Sequence, residues 1–205
     1  MGLTGFAYSL ENYTKRLSIE LPLNPRILDA GCGTGTLGIA MKKSFPKSTV
    51  LATDLEKKFF TEIYRYIKTN NFTKNEFNVG IANINSPERV LLPDTQTHVL
   101  LDPKTFDVVI IGAALGYSDR PELSILQLLK LVKPGGYLID IEMSENIIGR
   151  TLSNLYKYRN PGIEKITEIL EKNACIVRKI PFLWTELPAG LSRVGIVAQK
   201  KLTKC

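Results

Sequence analysis

Residues 26–38 read Arg26-Ile27-Leu28-Asp29-Ala30-Gly31-Cys32-Gly33-Thr34-Gly35-Thr36-Leu37-Gly38. A short apolar run ends in glycines, and Leu37, Ala40, Met41 and Phe45 then follow at helical spacing until Pro46. A strand that enters a helix through a glycine loop is the opening unit of an α/β fold. Glycines there let a ligand approach the main chain closely, and the free N–H groups of the helix start point toward it.

The alternation continues outward from this unit. Residues 49–53 form the next apolar run, which ends at Asp54. Phe60, Ile63, Tyr64 and Ile67 repeat at helical spacing, and residues 77–82 read as a third strand. The run Phe106-Asp107-Val108-Val109-Ile110-Ile111-Gly112 has the composition of a central parallel strand covered on both faces. A Leu-rich helix over residues 121–132 follows, stopped by Pro134-Gly135-Gly136 before a strand over residues 137–142. Helical segments near 144–157 and 161–173 precede two strand candidates, 174–184 and 193–199. Their short link, with Pro188 and Gly190, implies a hairpin. The expectation is an α/β fold of seven strands: a mostly parallel sheet with one antiparallel edge strand and helices on both faces. Residues 1–24 read as a helical cap. Residues 83–105, with Pro87, Pro93 and Pro103, read as a long connection of the kind that serves as a binding loop or insertion. Residues 1–205 are expected to form a single domain.

Composition narrows the class. The 205 residues are 44% hydrophobic and 23% charged, which excludes disordered and fibrous chains. Cys32, Cys175 and Cys205 are the 3 cysteines; far apart and without a CxxC pair, they suit neither a disulfide scaffold nor a zinc site. No metal site is expected. No apolar run reaches the ~18 residues that a membrane span needs. The N-terminus has no basic region leading into an apolar core, so the cytoplasm is the expected compartment. The net charge of +7 comes from lysines such as Lys42, Lys43, Lys57 and Lys58, with Lys200, Lys201 and Lys204 in a tail. Without interleaved aromatics these read as a solvated surface rather than a nucleic-acid face.

Two ligands compete for the glycine loop. Gly33, Gly35 and Gly38 spell GxGxxG, and Asp54 lies where an acid would hold a ribose, as in dinucleotide sites. That frame fails on position, because Gly31 already occupies the turn at the strand's end. The other frame, Asp29-x-Gly31-x-Gly33-x-Gly35, puts a carboxylate beside the loop. A carboxylate there is costly unless donors or a cation meet it. It would repel a pyrophosphate and attract an ammonium or a sulfonium. The charge argument therefore favours S-adenosylmethionine over NAD.

The stretch Asp29-Ala30-Gly31-Cys32-Gly33-Thr34-Gly35 resembles the first motif of the class I S-adenosylmethionine-dependent methyltransferases. The resemblance runs from about residue 26 to 142. Phe106-Asp107-Val108-Val109 is similar to the start of that family's fourth strand, and residues 131–138 to the entry of its fifth. The final hairpin is similar to its reversed strand. The resemblance implies a Rossmann-like seven-stranded sheet with S-adenosyl-L-methionine as cofactor. It implies that Gly31, Cys32, Gly33 and Gly35 line the methionine moiety and that Asp29 holds its amino group. Asp54 would hold the ribose and Leu55 would flank adenine. Ile81 stands where the family often has Asp, so adenine would rely on backbone groups and Asn83. Gly112 and Ala113 would edge the methyl group.

The acceptor is less legible. An in-line transfer from a sulfonium to an acceptor mainly needs positioning, and no catalytic base is assigned. The lone His98 lies in the long connection. Tyr8 and Tyr13 on the leading helix and Tyr117 after the fourth strand are candidate acceptor contacts. The favoured acceptor is a small molecule or a lipid- or quinone-like compound. The alternatives are an RNA methyltransferase, a non-catalytic cofactor-fold subunit that activates a partner, and an NAD-dependent oxidoreductase.

Overall fold

The computed structural model describes residues 2–173 and 175–202. Ala174, Lys204 and Cys205, which the sequence reading places in a strand and a basic tail, lie outside the described residues. The chain runs through α1 (Gly2–Arg16), β1 (Arg26–Ala30), α2 (Thr36–Ser44), β2 (Thr49–Asp54), α3 (Phe60–Thr69) and β3 (Phe77–Ile81). A hairpin of β4 (Arg89–Leu92) and β5 (Thr97–Leu100) follows, then β6 (Phe106–Gly112), α4 (Pro121–Leu131) and β7 (Val132–Met143). Helices α5 (Ile147–Leu155) and α6 (Ile163–Lys172) lead to β8 (Cys175–Ile180) and β9 (Arg193–Lys200).

The sheet has 9 strands in the order β5-β4-β3-β2-β1-β6-β7-β9-β8. Strands β3, β2, β1, β6 and β7 are parallel. The order reverses between β1 and β6, and ligands of open α/β sheets bind at the carboxyl ends of such a switch point. One face of the sheet is covered by α1, α2 and α3 through Leu10, Tyr13, Met41, Phe60 and Ile63. The other is covered by α4 and α6 through Ile125, Leu128, Ile166 and Leu170. All of β6 except Gly112 is buried, as its two-sided apolar composition requires.

The structure corrects the expected seven-stranded sheet in several places. Residues 83–105 contain the hairpin β4–β5, with Leu92 paired to Thr97 and Arg89 to Leu100. Pro93 opens the turn rather than breaking a strand, which is where a proline fits between edge strands. The reversed strand β9 is not at the edge; it pairs antiparallel with β7 on one side and with β8 on the other. Strand β4 is also antiparallel to its neighbour β3. Strand β7 already starts at Val132. Pro134, Gly135 and Gly136 are absorbed where the register against β6 shifts between Phe106 and Val108. The edge strand β8 ends at Ile180, before Pro181, and Trp184 starts a 3-10 turn with 84% of its surface exposed. The link before β9 is thus longer than the sequence suggested.

Two lysines also depart from a solvated surface. Lys42 is buried and donates to the carbonyls of Pro46 (2.8 Å) and Ser48 (2.6 Å). Lys200 donates to the carbonyls of Leu129 and Val132 at the end of α4, a favourable place for a cation.

Candidate active site

At the carboxyl ends of β1, β2 and β6 lies a cavity of about 740 Å³. That is within the usual range for a small-ligand site. Of the sequence-predicted residues, Asp29, Gly31, Cys32, Gly33, Asp54, Leu55, Asn83, Gly112, Ala113 and Tyr117 line it. They come from the ends of β1, β2, β3 and β6, so the fold brings together what the sequence spreads over almost ninety positions.

Three predicted residues are elsewhere. Gly35 backs onto α3, where an added Cβ would meet Ile63 Cγ1 at 2.5 Å. Tyr13 is fully buried, stacks on Phe182 with ring centroids 4.1 Å apart, and donates its hydroxyl to the carbonyl of Ile180. Tyr8 is 61% exposed and is not part of the cavity wall. The leading helix does cover the cavity, but through Phe6 and Leu10. Phe6, Leu10, Tyr13 and Leu17 form one stripe at helical spacing; its phase marks the buried side of the helix but not which of its residues reach the cavity. His98 stands exposed on β5 and is not part of the cavity wall.

The glycine loop is shaped by its neighbours. Gly31 has φ +68°, and a Cβ on it would lie 2.3 Å from Ala114 Cβ. Gly33 has φ +51° and only open space around the same point. Gly31→Ala is expected to destabilise by about 2–5 kcal/mol, from left-handed strain plus overpacking. Gly33→Ala is expected to cost only the strain, about 1–2 kcal/mol. Urea titration of both variants checks this, and equal midpoints would refute the packing argument.

Asp29 dominates the electrostatics. It is 1% exposed, and its Oδ2 accepts from the Gly38 N–H at 2.8 Å. Its Oδ1 is buried and accepts no hydrogen bond among the described residues. Burial pushes this carboxyl up to about 7, against the pull of the Gly38 N–H and with a further push from Asp54. Asp54 accepts from the N–H groups of Gly33 (2.8 Å) and Glu56 (2.9 Å). Each of its oxygens keeps a second lone pair for another donor. Burial raises the Cys32 thiol well above its ordinary value, with Asp29 and Asp54 adding to it, so Cys32 stays neutral.

The far wall is set by the end of β6. Ala113 adopts φ +49° and donates its N–H to the Ile141 carbonyl at 2.9 Å. A non-glycine residue in this conformation beside a cavity marks stored strain of the kind found at functional sites. Tyr117 packs edge-on against Tyr158, with centroids 5.2 Å apart. Sequence reasoning missed Asn85, whose Oδ1 accepts from Ser118 (2.5 Å) and Ser124 (3.1 Å) and ties the β3–β4 loop to α4. It also missed Asp119, Ile141 and Arg193. These come from separate loops and strands and carry no shared motif.

The glycine loop, the buried carboxylate and the acid closing β2 agree with a family match: a model described as a methyltransferase domain matches residues 28–138. The chain belongs to the S-adenosylmethionine-dependent methyltransferase family. Among curated relatives, the chain is 32% identical over 117 residues to the malonyl-[acyl-carrier protein] O-methyltransferase of Halalkalibacterium halodurans. That match covers 55% of the chain and 37% of the relative. It is 26% identical over 147 residues to a ubiquinone biosynthesis O-methyltransferase of Aliivibrio fischeri, covering 72% of the chain and 53% of that protein. The matched part thus spans about a third to a half of these relatives. Its fold is that of an O-methyltransferase family protein from Burkholderia thailandensis (TM-score 0.73, 15% identity, 97% of this chain and 57% of that one). Among the described residues, no helix is long and apolar enough to cross a membrane.

Proposed function

We propose that the protein binds S-adenosyl-L-methionine in this cavity and transfers its methyl group in line to a small-molecule or lipid-like acceptor. The observation that carries the reading is the buried, unpartnered Oδ1 of Asp29 at the cavity wall. It suits the ammonium of an amino acid and disfavours a pyrophosphate. When bound, the cofactor supplies an electrophilic methyl on a sulfonium and leaves as a neutral thioether.

The chain's own residues then act by holding and orienting. Asp29 takes the amino group. The main chain of Gly31, Cys32 and Gly33 follows the methionine moiety, with the space over Gly33 left free for it. Asp54 accepts from the ribose hydroxyls, Leu55 covers one face of adenine, and Asn83 contacts its edge. Gly112 and Ala113 border the methyl group, and Tyr117 contacts the acceptor. Phe6, Leu10, Leu37 and Ile141 give the remaining wall an apolar character that suits a lipid-like acceptor. The names of the two relatives, one acting on a malonyl-acyl-carrier protein and one belonging to ubiquinone biosynthesis, support the same class. On this reading residues 1–205 act as one methyltransferase domain working in the cytoplasm.

Thermal melts with S-adenosylmethionine, S-adenosylhomocysteine and NAD side by side test it. A ligand at a hundred times its dissociation constant stabilises by ~2.7 kcal/mol. For a chain of this size that is a rise of roughly 5–10 °C. The two adenosyl-sulfur ligands are expected to give it and NAD is not. A rise with NAD alone would overturn the reading. No rise with any ligand would favour a subunit that needs a partner.

A further inference from the structure

Arg193 opens β9, where it is paired with Met143 of β7, and its side chain reaches the cavity wall. The guanidinium carbon sits 5.5 Å from the centre of the Phe6 ring. Nη1 is buried and has no hydrogen-bond partner among the described residues, and the side chain forms no ion pair among them. Burial pulls its proton affinity down from the ordinary value, yet a guanidinium in a protein keeps its charge. A desolvated cation without an anion is costly. Elsewhere this fold meets the same demand directly: Arg16 donates from Nε and Nη2 to the two oxygens of Glu186, each at 2.9 Å.

Among the described residues no carboxylate pairs with Arg193 in this way. Glu142 attracts the guanidinium electrostatically and favours its charge, but it makes no ion pair with Arg193: it is paired with Val194 and points to the opposite face of the sheet. There the Tyr158 hydroxyl holds its Oε2. The other titratable groups facing Arg193 are the phenols of Tyr117, Tyr156 and Tyr158, and burial raises those of Tyr117 and Tyr158 above their ordinary value. The cavity thus presents a cationic fork at the end remote from Asp29, bordered by Phe6, Leu10 and Ile141.

We propose that Arg193 is the anion-binding group of the acceptor site, and that the acceptor is an apolar molecule carrying a carboxylate. The proposal rests on the methyl-transfer reading above and names its substrate class. A planar guanidinium matches a carboxylate through two parallel N–H···O bonds. A single negative charge suits the cavity better than a phosphate dianion, because Asp29, Asp54, Glu56 and Asp119 also line it against Lys58 and Arg193. The ring of Phe6 and the side chains of Leu10 and Ile141 accept the hydrocarbon part.

The test is calorimetric titration of the full chain with octanoate, octanamide and octyl phosphate, with and without saturating S-adenosylhomocysteine. Octanoate is expected to bind at least tenfold more tightly than its neutral isostere octanamide. Arg193→Gln should abolish that preference, and Arg193→Lys, which keeps the charge and loses the fork, should keep part of it. Affinity for S-adenosylhomocysteine, measured first, reports separately on the cofactor site and on correct folding of each variant. Equal or undetectable binding of octanoate and octanamide to the unmodified protein overturns the proposal. So does a preference that survives Arg193→Gln, or a stronger affinity for octyl phosphate than for octanoate. If S-adenosylhomocysteine does not bind, the methyl-transfer reading fails, while the octanoate comparison without it still decides the role of Arg193.

Discussion

Asp29→Asn is expected to weaken S-adenosylmethionine binding about ten- to a hundredfold, the loss of one charge-assisted hydrogen bond. The same substitution is expected to stabilise the ligand-free protein above pH 7. Both effects follow from one carboxyl. Burial raises Asp29 to about 7, so the folded protein holds this proton more tightly than the unfolded chain. The stability it contributes is therefore fully present below the unfolded value near ~4 and is lost as pH rises to about 7. A carboxyl held up to about 7 rather than the unfolded ~4 corresponds to a loss on the order of 4 kcal/mol at pH 8. Asparagine escapes that loss and can still accept from the Gly38 N–H. It adds a buried amide donor, which costs about 1–3 kcal/mol if unpaired. The variant should thus melt several degrees above the unmodified protein at pH 8 and below it at pH 4. A melting temperature lowered at both pH values would remove the charge argument for this site.

Cofactor affinity should show the matching pH profile in the unmodified protein. Below pH 7 the ligand-free protein carries Asp29 protonated, and pairing with an ammonium requires its ionisation. Affinity should then fall by up to tenfold for each pH unit below 7. An α-amino group loses its proton around 7.7–8.0, so affinity should peak between about pH 7 and 8. A dissociation constant that is flat from pH 5.5 to 7.5 in calorimetry would show that Asp29 does not meet the amino group.

The part of this site that could be read from sequence is the part made by one continuous stretch. Asp29, Gly31 and Gly33 sit within five residues, and Asp54 closes the next strand, so loop chemistry and strand order were enough. Tyr117 follows from the same logic at the end of β6, whereas Ala113 is implied only by the family resemblance. Arg193, Asp119 and Phe6 were not legible, because an arginine at a strand start or a phenylalanine in a helix acquires a role only from what packs against it. Tyr13 shows the opposite error. Its residue type suggested a pocket, but its phase on α1 aims it at Gly195 of β9, where its hydroxyl fills the space a Cβ would need. The β4–β5 hairpin was hidden by Pro87, Pro93 and Pro103. Those residues flank two short strand-like runs, Arg89–Leu92 and Thr97–Leu100, rather than interrupting them.

The second large effect concerns the strand that carries Ile141 into the cavity. Asp140 and Glu142 flank Ile141 on β7 and point to the opposite face, where both are fully buried. Neither oxygen of Asp140 nor Oε1 of Glu142 meets a hydrogen-bond donor within ordinary geometry among the described residues. Burial, and then the neighbouring Glu142, raise Asp140 well above the carboxylate range. Burial raises Glu142 too, opposed by the Tyr158 hydroxyl. Two such groups cannot both ionise cheaply, so the folded pair retains a proton that the unfolded chain would release. The pair's contribution to stability is accordingly greatest at acid pH and is lost as pH rises toward its raised values. Asp140→Asn replaces that proton by a permanent N–H, which can donate to Glu142 Oε1 at any pH. Its gain over the unmodified protein should grow with pH and reach about 1–4 kcal/mol at pH 9, or roughly 3–10 °C. Tyr158→Phe should act in the other direction, by about 1–3 kcal/mol, because it strips the remaining donor from Glu142. Since Tyr158 also buttresses Tyr117 at the cavity wall, Tyr158→Phe should leave the edge-on ring contact in place, and acceptor binding should change less than stability does. Melting curves from pH 5 to 9 for the three proteins decide the matter. A difference between Asp140→Asn and the unmodified chain that stays constant over this range would mean that the pair carries no shared proton.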